Sequence, residues 1–299
     1  MYMNKIKVII NNPILYVFSK MELFHVWNKM SDEKYLKIKY LIKMKRKLNL
    51  DAPILFNEKM QWLKIYDKKD IYTSLVDKYA VKNYVKEIIG EEYIIPTLGI
   101  WESFEEIDFE QLPEQFVLKC THDSGGIWIC RKKSELDIKK VKEKICKSMN
   151  TNFYFTGREW PYKNVKPRII AEQYMEEESA TELKDYKIFC FDGKPKIIQL
   201  DYDRFSDHHR NMYDINWNRL PFDLKYVSDE KKKFSAPSNL AQMLEFASKL
   251  SKNIPFVRVD FYSISGSTYF GEMTFYPESG FGEFSEERWN KKLGEWLVL

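Results

Sequence analysis

One segment, residues 256–275, constrains the fold more than any other part of the sequence. Two stretches of alternating side chains enclose a turn-forming SISGS sequence, which is the pattern of paired antiparallel strands. Alternation places Arg258 and Asp260 on one face of the first strand, and Glu272 and Thr274 on one face of the second. If Asp260 pairs with Glu272, Arg258 lies opposite Thr274, and the Cβ atoms of the two acids are roughly 4.5–5.5 Å apart.

Two carboxylates this close repel each other, and one takes up a proton unless a cation lies between them. Apolar neighbours on both strands indicate burial, where an unpaired carboxylate is costly. Magnesium satisfies two carboxylates and keeps positions open for phosphate oxygens. We therefore predict that Asp260 and Glu272 are magnesium ligands. The alternative is a surface cross-strand pair with Arg258 as its counter-ion.

The rest of the chain predicts an α+β fold with a helical N-terminal part. Apolar periodicity predicts helices in the first 90 residues, and from Phe116 onward short strands alternate with helices and Gly-containing turns. The predicted helices cover residues 14–30, 31–48, 57–66, 73–90, 137–149 and 239–250.

A Gly-rich segment between two predicted strands is a candidate phosphate-binding loop. The strand FVLK ends at Lys119 and is followed by CTHDSGG, which contains Gly125 and Gly126. Backbone N–H groups of such a loop can cover phosphates, and a lysine entering the site adds a charge-assisted contact. Taken alone, however, the pattern fits a simple hairpin turn better. Asp77 and Lys78 lie on an early predicted helix.

Six elements in chain order resemble a known superfamily. Asp77 and Lys78 are followed by FVLKCTHDSGG, IIAEQYM, DYKIF, VRVD and GEMTFYP. This order is similar to that of the ATP-grasp superfamily, most closely its teichuronopeptide-biosynthesis-like (TupA-like) branch, often found among capsular and cell-wall polysaccharide genes. The resemblance implies a helical segment at 1–54 and an ATP-grasp domain at 55–299. In that domain two α+β subdomains clamp ATP, with a lid subdomain at about 115–170.

The resemblance also implies which residues hold ATP. Lys78 and Lys119 match residues that hold the phosphates, and the lid residues Gly125 and Gly126 would close over them. Glu172 and Met175 match the segment that binds adenine and the nearby ribose. Further along the chain, an acid and a base match ribose-binding and phosphate-binding positions: Asp185 and Lys187.

The same resemblance assigns magnesium ligation to Asp260 and Glu272, in agreement with the hairpin argument. Arg258 matches the arginine that steadies the tetrahedral intermediate. Thr274 stands where most ATP-grasp ligases have Asn, so a hydroxyl would complete the metal site and the second metal is in doubt.

The implied reaction is ATP- and Mg²⁺-dependent ligation of a carboxylate to an amine through an acyl phosphate, with release of ADP. The family's associations suggest the uronic acid of a surface polysaccharide, or its precursor, as the carboxylate and an amino acid as the amine. Two Arg and two His in residues 204–210 suit an acidic acceptor, although a polar surface loop fits equally well. The candidate acceptor residues are Arg204, His208, His209, Arg210, Ser279 and Gly280.

Three alternatives remain open. Asp201, Tyr202 and Asp203 form a D-x-D after an apolar strand, as in metal-dependent nucleotide-sugar glycosyltransferases. An ATP-grasp kinase would use the same site with a hydroxyl acceptor. A nucleotide-binding scaffold without turnover is disfavoured by the presence of Lys78 and Lys119 together with the acidic pair.

Composition limits the partners and the location. Lys plus Arg exceed Asp plus Glu by 48 to 44, and there is no zinc-finger spacing or RNP motif, which argues against nucleic acid. Residues 37–47 carry six basic side chains and no acid, which predicts a solvated helix face or, alternatively, contact with an anionic membrane surface. The four cysteines form no C-x-x-C, and no apolar run reaches the ~20 residues that a bilayer requires. We expect a cytoplasmic protein, which contacts the inner face of the membrane if that alternative holds.

Overall fold

The computed structural model describes residues 12–123, 125–176, 184–203 and 207–299. These ranges form two antiparallel sheets and the helices around them, so the structure is α+β. Within these ranges no helix combines the length and apolarity needed to cross a bilayer. The α-helices are α1 Pro13–Leu23, α2 Asp32–Met44, α3 Phe56–Tyr66, α4 Ile71–Val76, α5 Val81–Ile88, α6 Ile138–Met149, α7 Tyr154–Gly157, α8 Leu240–Leu250 and α9 Glu287–Trp296.

The first two helices pack together and against the body of the protein. The Asn12 side chain accepts a hydrogen bond from Leu15 N at 2.9 Å, and Pro13 occupies the first turn of α1, where its missing N–H costs nothing. The predicted helix 14–30 ends early, at Leu23, because the chain turns and His25 takes a φ of 60°. A separate apolar cluster joins both helices to Phe281.

The basic run at 37–47 is only partly a solvated face. The Lys39 ammonium lies 2.8 Å from the Glu22 carboxylate, the Lys43 ammonium lies over the Phe281 ring, and Arg46 forms an ion pair with Glu287. Three of the six basic side chains therefore contact other parts of the protein, which corrects the prediction for this run.

The predicted helix 73–90 is two helices, α4 and α5. Between them the Asp77 carboxylate accepts hydrogen bonds from Tyr79 N at 2.8 Å and Ala80 N at 3.1 Å. A short polar side chain that bonds to nearby backbone N–H groups competes with helical hydrogen bonding. Lys78 consequently lies in a break between helices and not within one, and its N–H donates to Thr121 O at 3.0 Å.

A four-stranded sheet includes the two strands that flank the Gly-rich segment. Its strands lie in the order β1-β4-β2-β3, and every neighbouring pair is antiparallel. One face packs on α6 through an apolar cluster that includes Val141 and Ile145. The sheet includes a strand that precedes the predicted lid, since β1 begins at Thr97. The strands are β1 Thr97–Trp101, β2 Phe116–Cys120, β3 Ile127–Cys130 and β4 Ile169–Gln173.

A five-stranded antiparallel sheet holds the larger core, with strand order β7-β6-β5-β8-β9. Its apolar face includes Ile188, Ile198 and Val259, which pack in one cluster with α8 and α9. The alternating residues of β5, β6 and β8 put a row of charged side chains on the other face. The strands are β5 Asp185–Phe191, β6 Lys194–Tyr202, β7 His209–Tyr213, β8 Phe256–Ile264 and β9 Ser267–Thr274.

Helices α3 and α9 pack against each other although they are far apart in sequence. Asn57 N donates to Asn290 Oδ1 at 3.1 Å, and the Lys59 ammonium donates to Leu297 O at 2.7 Å. A Cβ at Gly294 would lie 2.1 Å from Ile54 O, so only glycine permits this approach.

Candidate active site

The predicted hairpin register is confirmed. Strand β8 pairs with β9 so that Asp260 lies opposite Glu272 and Arg258 lies opposite Thr274. All four side chains project from the same face of the five-stranded sheet, as the alternation of the two strands requires.

Arg258 connects the members of this group. Its Nε and one Nη donate to the two oxygens of Asp260 at 2.7 and 2.6 Å, and the same Nη lies 3.2 Å from Glu272 Oε1 and 3.0 Å from Thr274 Oγ1. The Thr274 hydroxyl in turn donates to Glu272 Oε1 at 3.1 Å. The side chain of Asp260 is 5% exposed, whereas that of Glu272 is 41% exposed. Glu272 therefore presents its carboxylate to the open side of the sheet.

Lys187 extends the group onto the neighbouring strand. It lies opposite Asp260 in the pairing of β5 with β8, and its ammonium is 3.2 Å from Asp260 and 3.0 Å from Asp185. Burial alone would lower the pKa of Lys187, but the carboxylates of Asp260 and Asp185 outweigh it, so the pKa is raised. Lys187 is therefore a fixed positive charge beside the acidic pair.

The donor set fits a magnesium ion that is shared with phosphate. Burial raises the pKa of Asp260, and the nearby Glu272 charge adds to this increase, although Arg258 opposes it. It is therefore unfavourable for both carboxylates to be charged at the same time. A divalent cation between them would remove this repulsion. The described residues contain no cluster of three or more His, Cys, Asp or Glu side chains suited to a metal. Two carboxylates and the Thr274 hydroxyl nevertheless suffice for Mg²⁺, which usually keeps water and phosphate oxygens as further ligands.

A second charged group lies on the four-stranded sheet. Glu172, on β4, is held by two ammonium groups: Lys119 from β2 at 2.6 Å and Lys82 from α5 at 2.6 Å. Burial raises the pKa of Glu172, but the two lysines outweigh it and the net shift is downward. Sequence reasoning did not identify Lys82, although it lies four residues after Lys78, and within the predicted helix 73–90 that spacing would have placed both lysines on one face. Met175 follows the same strand and is half-buried.

Lys78 contacts the Gly-rich loop, and its charge acts on Glu272. Its ammonium donates to the carbonyl of Asp123 in the Gly-rich loop. The charge of Lys78, followed by that of Arg258, outweighs desolvation and lowers the pKa of Glu272. The predicted phosphate lysine thus lies near the predicted metal carboxylate, which the spacing along the chain could not establish.

The two glycines of the loop differ in their surroundings. Gly126 N donates to both oxygens of Asp123 at 3.1 and 3.0 Å, and a Cβ there would lie 2.4 Å from Ser148 Oγ. Gly125 is exposed, and a Cβ there would make only an ordinary contact with Asp123. Packing therefore explains Gly126, whereas Gly125 is open to solvent.

The candidate acceptor residues do not form one group. Arg210, on β7, donates to the Asp201 carboxylate at 2.6 and 3.2 Å and to Leu224 O at 3.0 Å, and it also lies 3.1 Å from Glu278. His208 also lies near Asp201, at 3.5 Å. The ring of His209 instead stacks on Tyr202 of the neighbouring strand β6. Arg204 lies outside the described residues.

The contacts of Arg210 indicate a structural role, and its predicted role toward the acceptor stays a prediction. Its guanidinium is bonded to a buried carboxylate and to the loop that follows β9. The same contacts occupy Asp201, the first acid of the D-x-D. Asp203, the second acid of the D-x-D, forms an ion pair with Lys232 and has further interactions.

The loop that contains Ser279 and Gly280 has an unusual backbone. Glu278, Ser279 and Gly280 have φ values of 51°, 55° and 66°, a left-handed region that costs non-glycine residues free energy. Side chains from α3 hold this shape: Gln61 Nε2 donates to Gly280 O at 2.9 Å, and Lys64 donates to Ser279 O at 2.8 Å. Such strain persists only where surrounding contacts fix it, and it is concentrated at functional sites.

Comparison with known proteins identifies the fold. A family model described as TupA-like ATPgrasp matches residues 58–298. No curated protein matches this chain.

The matching solved structures are distant in sequence. D-alanine–D-alanine ligase from Bacillus anthracis complexed with ATP is 14% identical, with a TM-score of 0.43 over 80% of this chain and 65% of that chain. The Helicobacter pylori enzyme is 15% identical, with a TM-score of 0.43 over 81% and 69%. The ATP-grasp ligase PsnB complexed with a minimal precursor is 7% identical, with a TM-score of 0.40 over 72% and 60%. This chain thus spans two thirds or less of the Bacillus anthracis and PsnB chains.

Proposed function

Because the chain belongs to the TupA-like ATP-grasp family, we propose that it is an ATP- and Mg²⁺-dependent ligase that joins a carboxylate to an amine. The family match agrees with the resemblance seen in the sequence and with the ATP-grasp fold expected from it. The observation that carries the proposed activity is the group formed by Arg258, Asp260 and Glu272, with Lys78 close to Glu272.

We assign the phosphates of ATP to two lysines, Lys78 and Lys119. Lys119 now pairs with Glu172, which Lys82 also holds. A polyphosphate carries more charge than a carboxylate, so it competes for Lys119 while Lys82 continues to hold Glu172. Glu172 and Met175 would then bind adenine and ribose, Asp185 would bind ribose, and Gly125 and Gly126 would cover the phosphates.

Mg²⁺ would be held by Asp260, Glu272 and Thr274, and it would neutralise charge on the phosphates. An acceptor carboxylate attacks the γ-phosphorus, forming the acyl phosphate and releasing ADP; the amine then attacks the acyl carbon, phosphate leaves and the amine loses a proton. Lys187 stabilises the negative phosphoryl oxygens, and Arg258 donates to the oxyanion of the tetrahedral intermediate. The Gly-rich loop excludes water from the acyl phosphate.

The proposed acceptor is a uronic acid of a surface polysaccharide or its precursor, and the proposed amine is an amino acid. Family association supports these substrates. In this proposal the acceptor is contacted by Ser279 and Gly280, in the strained loop after β9, and by His208.

We also propose a cytoplasmic location, where cysteines stay reduced; the four here are free thiols. Contact with an anionic membrane surface would rely on the part of the basic run that faces solvent, Lys37, Lys45 and Lys47. At ~1 kcal/mol for each basic residue, this contact would be weak.

Glycosyl transfer is less well supported, because the Asp201 carboxylate is bonded twice by Arg210. A kinase would use the same phosphate and metal residues with a hydroxyl acceptor, so only the products distinguish it from a ligase.

The test follows ADP, AMP, phosphate and UDP from purified protein with Mg²⁺, ATP, uronic acids and a pool of amino acids. ADP and phosphate that depend on both acceptor and amine support the ligase. Glu272→Gln should abolish this release, whereas Glu245→Gln, an exposed acid on α8, should not. ADP without phosphate would indicate a kinase, and UDP release from nucleotide sugars with ATP untouched would contradict the proposal.

A further inference from the structure

Three lysine ammonium groups converge on one aromatic ring outside the proposed catalytic group. Lys39, Lys43 and Lys64 lie 5.7, 5.4 and 4.8 Å from the centroid of the Phe281 ring. The ring is 1% exposed and belongs to the apolar cluster that joins α1 and α2 to the body. Like charges so close together need compensation from elsewhere.

Two of the three lysines are fully engaged. The Lys39 ammonium contacts Glu22 at 2.8 Å, the Tyr35 hydroxyl at 3.0 Å and the carbonyl of Thr156 at 2.5 Å. The Lys64 ammonium donates to Gln61 Oε1 at 3.0 Å and to Gly157 O and Ser279 O at 2.8 Å. Both ammonium groups therefore have structural partners and are not available to a ligand.

Lys43 differs from its neighbours. Within the described ranges its ammonium has neither a hydrogen-bond acceptor nor an ion-pair partner, and the side chain is only half-buried, so it remains accessible. Burial lowers the pKa of Lys43, and the charges of Lys39 and Lys225 lower it further.

Within the described ranges, the acids that face Lys43 form no ion pair with it. Glu278 is already paired with Arg210 at 3.1 Å and Lys225 at 2.5 Å, and Glu283 is exposed. The neighbouring Lys39 lies beside Glu22 and Lys64 beside Glu159, so an anion can reach Lys43 without displacing a protein partner of its ammonium.

The position of this cluster relates it to the acceptor. Phe281 directly follows the Ser279–Gly280 turn, and Glu278 joins that turn to Arg210 and Lys225. We propose that Lys43 binds an oxyanion of the acceptor substrate, a phosphate or a second carboxylate, at the side of the 277–281 loop that faces α2. The identity of the ligand as the acceptor rests on the proposed function, whereas anion binding at Lys43 does not.

The location of Lys43 gives this site a consequence for specificity. Residue 43 precedes the segment matched by the family model, which begins at residue 58. Lys43 would therefore contribute to recognition of the acceptor from a helix that lies outside the matched segment.

A kinetic test uses Lys43→Gln with Lys47→Gln as the matched control, since Lys47 is exposed and outside the cluster. We expect Lys43→Gln to raise the KM for the acceptor by about 10- to 100-fold, the value of a charge-assisted hydrogen bond, with kcat changed less than about twofold. Lys43→Arg should recover most of this loss. Equal effects of the Lys43 and Lys47 changes would overturn the proposal.

A second test does not depend on turnover. Lysines are ¹³C-methylated in the wild-type protein, the Lys43 signal is identified by its absence in Lys43→Arg, and inorganic phosphate and galacturonate are titrated separately. A saturable shift of the Lys43 signal, with Lys249 unmoved, supports the site, and the more effective probe distinguishes phosphate from carboxylate. No shift with either probe refutes it. A shift in a protein that proves inactive as a ligase would keep the anion site and discard the proposed function.

Discussion

The buried pair of Arg210 and Asp201 lies where the row of charged side chains reaches β7. Replacing its members tests whether this part of the row stabilises the fold. The guanidinium makes two hydrogen bonds to the carboxylate, at 2.6 and 3.2 Å, and the two side chains are 5% and 4% exposed. Arg210→Met removes the cation and leaves the carboxylate buried. Breaking a buried pair in this way costs about 3–5 kcal/mol of unfolding free energy.

Removing both charges should cost much less. In the double variant, Asp201→Asn with Arg210→Met, the amide still accepts the hydrogen bond that Gln199 Nε2 donates at 3.0 Å. Replacement of both partners by neutral groups is close to neutral. We therefore expect the double variant to recover more than half of the stability lost in Arg210→Met.

Acidification supplies an independent check. Although burial opposes it, bonding to His208 and Arg210 holds the pKa of Asp201 well below its usual range, so this carboxylate contributes stability above the ordinary aspartate pKa. Without Arg210 the folded-state pKa rises and the carboxyl group takes up a proton as the pH falls. The difference in unfolding free energy between wild type and Arg210→Met should therefore become smaller as the pH falls from neutral toward the ordinary aspartate pKa.

Urea unfolding followed by tryptophan fluorescence measures these differences, and steady-state kinetics runs in parallel. If Arg210→Met left the unfolding free energy unchanged and raised only the KM of the acceptor, Arg210 would be a substrate ligand and the reasoning above would be wrong.

Three further predictions concern the nucleotide, the metal and the strained loop. Lys119→Ala should weaken ATP binding by ~10- to 100-fold in calorimetry, whereas Lys139→Ala, a change at an exposed position on α6, should leave the ATP affinity unchanged. Equal ATP affinities of the two variants would show that Lys119 does not bind ATP. Glu272→Gln should keep the wild-type thermal midpoint and lose ADP formation, and wild-type turnover would exclude the metal role. Gly280→Ala should lose ~2–5 kcal/mol in urea unfolding, because its Cβ would lie 2.6 Å from Gln61 Nε2 at a φ of 66°. Gly266→Ala, at a φ of 81° with its nearest atom at 3.4 Å, should lose only ~1–2 kcal/mol, and equal losses would contradict the steric argument.

The sequence predicted what depends on local periodicity. Strand alternation placed Asp260 and Glu272 on one face of each strand, but their pairing was an assumed register. Regular pairing from the Ser265–Gly266 turn would put Asp260 opposite Gly271, and a register shift between Asp260 and Phe261 brings Glu272 there instead. The α+β class followed from the sequence, because helical and strand periods are distinct.

Contacts between distant segments were beyond such reasoning. Lys64 is a helical lysine in the sequence, and nothing local shows that it is buried against Gly157 and Ser279. The same holds for Lys82, whose partner Glu172 lies 90 residues away. The D-x-D shows the same limit: Asp201 has an acidic residue two positions away in the sequence, but its partner in space is a buried arginine.

The packing of α3 against α9 has a consequence for the order in which the chain is made. Asn57 finds its partner 233 residues later, and α9 supplies Trp289 and Leu293 to the core beneath the charged sheet. On the ribosome, α3 and β5 to β9 all emerge before α9, whose main packing partner is α3. The face of α3 that α9 covers is therefore exposed in the nascent chain until α9 has left the exit tunnel, and exposed apolar surface of this kind is prone to aggregation.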